Sequence, residues 1–141
     1  YRGYVLALRG SFDEAVSEWS DAMSWLSSGS MDQRMVLVWT VSALCALQRG
    51  PEARAMSRIL FTAKWADGPF FDQLERVVTD MLKWLEGRPN MDLLKAHLLD
   101  LRENRIGDPR TVSRTAVTRR VLEVMTDDRL AGAQSPLVSR S

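Results

Sequence analysis

Apolar residues in this chain return at helical spacing, three and four positions apart, along most of its length. Phe12, Ala15, Val16, Trp19, Ala22, Met23 and Leu26 follow the i, i+3, i+4, i+7 pattern of an amphipathic helix. Val5, Leu6 and Leu8 belong to a short helix before it. After "SSGS" (27–30), a loop by composition, residues 32–48 are apolar nearly all round: Met35, Val36, Leu37, Val38, Trp39, Val41, Leu44 and Leu47. A helix without a polar face is expected to be central and buried. "RGPEA" (49–53) breaks it, with Gly50 suited to a left-handed C-terminal cap and Pro51 to the first turn of the next helix. That helix should reach about Lys64 and place Ala55, Ile59, Leu60 and Ala63 on one side.

"ADGP" (66–69) is the next stop. "FFDQLERVVTDMLKWLEG" then sets Leu74, Val77, Val78, Met81, Leu82 and Leu85 on one face, and "GRPN" (87–90) separates it from "MDLLKAHLLDLRENR". Asp108 as N-cap and Pro109 as first helical residue open a last helix to about Thr126. No segment alternates as a strand does. The predicted fold class is all-α, with one domain over 1–130 and a mobile tail, 131–141, whose apolar surface is too small to order it.

Composition narrows the function classes. The 141 residues carry 19 basic and 18 acidic side chains, a balance that argues against a surface built wholly for nucleic acid. Cys45 is the single cysteine and His97 the single histidine, so neither an internal disulfide nor a conventional zinc site is expected. The lone cysteine favours a reducing intracellular compartment such as the cytoplasm. The longest apolar stretch, "MVLVWTVSALCAL" (35–47), falls short of the roughly 20 residues of a membrane span. The chain opens at Tyr1 without an initiator methionine, as expected of a fragment or a processed form.

Helix, glycine-containing turn, helix occurs around Gly10, Gly50 and Gly87. The first unit closely resembles a tetratricopeptide repeat. Gly3 matches that motif's small residue on the first helix, Gly10 the turn glycine, Phe12 the aromatic after it, and Ala15 the small residue where the helices approach. Trp19 and Ala22 match its next aromatic and small positions, while Ser27 stands where the motif closes on proline. In the second unit Ala43, Gly50, Ala55 and Ile59 take corresponding places, and around Gly87 only the turn and the apolar spacing remain. The resemblance implies antiparallel helical hairpins with a C-terminal capping helix. It also implies binding of another protein or peptide in a groove lined by the first helix of each hairpin, as an adaptor, chaperone or assembly subunit. Carried over, Leu37, Thr40, Leu44, Leu47 and Gln48 would line that groove. The Lys, Asn and Arg that clamp a partner's C-terminal carboxylate in one subfamily are absent from those positions. The chain is also similar in size to helical-repeat chaperones of bacterial type III secretion, and "WTVSALCALQRG" (39–50) with the apolar helix after it resembles their central hairpin.

Two further features bear on partners. Trp65 stands beside a loop and, if exposed, would serve as an interface anchor. Residues 102–120 carry Arg102, Arg105, Arg110, Arg114, Arg119 and Arg120 against Glu103 and Asp108. Arg110 and Arg114 lie one turn apart near a helix N-terminus, where only an anion or acidic surface would offset their charge. The alternative reading is therefore a nucleic-acid-associated module acting through this segment. Val117, Val121 and Val124 form that helix's apolar stripe, expected to dock on the preceding hairpin. No catalytic constellation is present: His97 has no spaced partner, and Cys45 sits in the most apolar helix as inert core. Neither an enzyme nor a cofactor is expected.

Overall fold

The helical periodicities become seven α-helices and no strand among the described residues, which in the computed structural model are 2–65, 69–87, 91–103 and 109–127. They are α1 (Arg2–Leu8), α2 (Phe12–Met23), α3 (Met31–Ala46), α4 (Gly50–Thr62), α5 (Pro69–Leu85), α6 (Met91–Glu103) and α7 (Pro109–Thr126). The tail 131–141 lies outside the described residues. The second helix ends at Met23, short of the expected Leu26. Ser24 stops it by turning its hydroxyl onto the Asp21 carbonyl at 2.8 Å. Ser30 then starts α3, accepting from the Gln33 N–H at 3.1 Å while the Gln33 side chain accepts from the Gly29 N–H at 2.7 Å.

Each odd-numbered helix from α1 to α5 ends at a residue with positive φ. After α1 it is Gly10 (φ 84), whose N–H reaches the Ala7 carbonyl at 3.0 Å while Ser11 N–H reaches Leu6 at 2.9 Å. After α3 it is Gln48 (φ 61), with the same two bonds: Gln48 N–H to Cys45 and Arg49 N–H to Leu44, both 3.0 Å. This is the paired closure in which a left-handed residue lets the last carbonyls find donors. After α5 it is Gly87 (φ 81), its N–H 3.2 Å from the Trp84 carbonyl. Gly50, expected to be the second cap, is instead the first helical residue of α4. Pro51 belongs in that helix's first turn, so the left-handed reversal must come earlier and falls on glutamine.

The even-numbered partners repeat a burial pattern. The fourth and eighth helical residues are buried in α2 (Ala15, Trp19), α4 (Ala53, Ser57) and α6 (Leu94, Leu98). In α4 this corrects the expected face: Ala55 and Ala63 are exposed and Ile59 is 49% exposed, while Leu60 is buried as expected. The short Ala53 and Ser57 side chains let α4 lie close to α3. At the first pair the approach is tighter. A Cβ on Gly3 would stand 2.5 Å from Trp19 Nε1, so only glycine fits beneath that ring.

Helix α3 is the centre. It packs against α2, α4, α5 and α7. Leu37, Val38, Val41, Ala43 and Cys45 on it are wholly buried. Its buried hydroxyls are satisfied within the helix, Thr40 on the Val36 carbonyl at 2.7 Å and Ser42 on Val38 at 2.8 Å. Tyr4 of α1 and Trp19 of α2 both lie on Trp39 of α3, with ring centroids 5.3 and 5.7 Å away.

Gln48 holds a backbone conformation that costs an L-residue about 1–2 kcal/mol, whereas glycine there loses about 0.4–1 kcal/mol through its freer unfolded chain. Gln48→Gly should therefore raise stability by roughly 0.5–1 kcal/mol in urea denaturation. A loss of stability would show that the glutamine side chain, and not the turn, matters at this position.

Candidate functional site

The positions assigned to a partner groove divide sharply. Leu37, Thr40 and Leu44 are core residues, none more than 2% exposed. They are not an open surface here, because α3 is enclosed on all the sides that its neighbours α2, α4, α5 and α7 take up. Leu47 is half-buried at the C-cap of α3, and exposed Gln48 provides the left-handed turn. Trp65 is half-buried rather than an exposed anchor. Its indole N–H donates to the Leu60 carbonyl at 2.7 Å and so closes the end of α4. The strongly exposed tryptophan is Trp25, at 85%, in the turn after α2. The early end of α2 puts it there, a stop that the sequence periodicity does not reveal.

Helix α7 packs most extensively on α3 and α6, less on α1 and least on α5. The expected docking on the preceding helices is met chiefly at α6, and α7 reaches further, to α3 and α1. Val117 and Val121 are fully buried as the stripe predicts, joined by Leu122 and Met125, while Val124 is half-buried. Thr118 is also fully buried, and its hydroxyl has no hydrogen-bond partner. Arg120 lies over the α1–α2 turn, since a Cβ on Gly10 would stand 3.9 Å from its Nη2. The Arg120 Nε is likewise buried without a partner.

The arginine-rich segment is only partly described. Arg105 lies outside the described residues, and Arg110 and Arg114 are on α7 with side chains outside them. Arg102 reaches Glu123 at 3.4 Å, joining α6 to α7, and Arg120 reaches the same carboxylate at 3.6 Å. Each such exposed pair contributes little.

Buried charge lies elsewhere. Arg34 of α3, 3% exposed, bonds Glu75 at 2.9 Å and Asp72 at 3.1 Å, both on α5, with its guanidinium 4.9 Å from the centre of the Phe71 ring. His97 of α6, which in sequence has no partner, meets Asp80 of α5 at 2.7 Å. No group of three or more metal-ligating side chains occurs among the described residues. Likewise no helix there is long and apolar enough to cross a membrane. Burial pushes the Cys45 thiol up to about 12. No family model, curated protein or solved structure matches this chain.

Two expectations follow from these buried groups. Arg34→Ala should cost about 3 kcal/mol, because it strands the Glu75 carboxylate between α3 and α5. Pairing Arg34→Met with Glu75→Leu should recover most of that in the same denaturation assay. Equal losses in the single and double variants would mean that the stranded carboxylate is not what the single variant pays for.

Native Cys45 should resist an aromatic disulfide reagent at mildly alkaline pH and react fully once the chain is denatured. Its folded pKa lies above its unfolded value of about 8.5. The stability it contributes is therefore intact below that value and is lost as pH rises toward about 12. Rapid labelling of the native chain would show that α3 opens readily.

Proposed function

We propose that this chain is a non-catalytic protein-binding module, an adaptor, chaperone or assembly subunit. On this reading it is a tetratricopeptide-like array of three hairpins, α1–α2, α3–α4 and α5–α6, and it takes a helical segment of another protein along the face of α1, α3 and α5. The observation that carries the reading is α7, a single helix that packs chiefly on α3 and α6, less on α1 and least on α5. A face that accepts one helix in cis has the shape and apolar character to accept another in trans.

Regularity within the array supports it. The left-handed residues that follow α1, α3 and α5 stand at 10, 48 and 87, intervals of 38 and 39 residues, with a further one, Gly29, in the loop before α3. The fourth and eighth residues of α2, α4 and α6 are buried alike. With Gln48 as the turn, the second unit matches the first through Ala53 and Ser57, in place of Ala55 and the position Ile59 was given. Bulk and smallness also change sides, Gly3 against Trp19 in the first pair and buried Val41 with Ser57 at the equivalent places in the second.

The test is capture by tagged full chain from native lysate, with nuclease and with washes at low and high salt, followed by amide exchange on the recovered complex. A protein retained throughout, whose binding protects α1, α3 and α5, is the expected result. Loss on nuclease or high salt would overturn the reading in favour of the segment 102–120, since contacts by several arginines weaken steeply with salt.

A further inference from the structure

We infer that the outer face of α2, together with Trp25 at its end, docks a basic segment of another protein. Arginine or lysine side chains would lie along α2, one of them over the Trp25 ring. This goes beyond the proposed function, since these residues lie outside the face of α1, α3 and α5.

Charge is unevenly spread along the chain. Residues 10–33 hold Asp13, Glu14, Glu18, Asp21 and Asp32 with neither lysine nor arginine, so all 19 basic side chains fall elsewhere. Within that stretch α2 buries Phe12, Ala15, Val16 and Trp19 and leaves Asp13, Glu14, Ser17, Ser20 and Asp21 exposed along one stripe. The helix dipole favours Asp13 and Glu14, which stand in the first turn. It opposes Asp21, which stands in the last turn with no basic side chain beside it there. Two cations of the chain do reach the stretch, Arg2 at 3.6 Å from Glu18 and Arg49 at 3.6 Å from Asp13, as exposed pairs of little strength. Among the described residues no cation pairs with Glu14, Asp21 or Asp32.

Trp25 stands where this stripe ends. Its side chain is strongly exposed, yet its backbone is held: the Trp25 and Leu26 N–H groups both donate to the Ala22 carbonyl, at 2.9 and 3.2 Å. An anchor presented by a bonded turn loses little freedom on binding. The indole is the best of the aromatic faces for a cation, and tryptophan is enriched among the residues that dominate interfaces. Met31, 40% exposed, opens α3 across the same loop and adds an apolar contact at that end. A carboxylate stripe running to an exposed indole is complementary to a run of basic side chains, and it repels a phosphate backbone or an anionic lipid surface.

The test uses the full chain and a short, fluorescently labelled helical peptide of arginine and alanine, read by anisotropy in dilute salt. The peptide should bind, and added salt should weaken it. Trp25→Ala should lower the affinity on the order of tenfold. Glu14→Gln with Asp21→Asn should lower it by a similar factor and flatten the salt dependence. All three positions are exposed, so helix content by circular dichroism should be preserved. As a control, Asp92→Asn with Asp100→Asn removes two equally exposed carboxylates from α6 and should change nothing.

No binding by the full chain overturns the inference. Equal losses from the α2 and α6 pairs would also overturn it, by showing diffuse attraction to any acidic surface. So would unchanged affinity in Trp25→Ala. Self-association of the chain that disappears in Trp25→Ala would make the occupant a second copy and sink the assignment to another protein. None of these results bears on capture at α1, α3 and α5, which tests the proposed function by itself.

Discussion

A helix that is apolar on every side cannot stand at a surface, and α3 imposes that constraint on the whole molecule. Such a helix needs neighbours on every side. Here α2, α4, α5 and α7 all pack against it. Each fully buried aliphatic side chain is worth about 1.5–3 kcal/mol relative to exposure. Burial of α3 therefore constrains how α2, α4, α5 and α7 pack. It also explains why Leu37, Thr40 and Leu44 are core: any face bearing them needs an occupant.

Around that centre, the specific polar contacts fix geometry more than they add stability. Arg34 holds α5 at one height on α3 through Glu75 and Asp72, with Phe71 stacked beneath its guanidinium. Asp80 and His97 tie α5 to α6 in the same manner. Buried ion pairs gain little over apolar packing of equal volume, yet they penalise any slip in register. The aromatic contacts of Tyr4 and Trp19 with Trp39 align α1 and α2 on the other flank.

Much of this was legible in the sequence because it is local. The helix positions and the central place of the helix over 32–48 follow from spacing and residue type, and the Gly10 turn and the Gly3–Ala15–Trp19 approach from the resemblance to the tetratricopeptide motif. Gln48 was hidden because glutamine is not a left-handed residue by preference, and the nearby Gly50 offered a better local candidate. That two-residue error then rotated the expected buried face of α4 from Ala53 and Ser57 to Ala55 and Ile59. The reach of α7 was hidden for a different reason. An apolar stripe at Val117 and Val121 announces that α7 docks, but no short-range pattern says it reaches back to α1. Asp80 and His97, on separate helices, share the same difficulty.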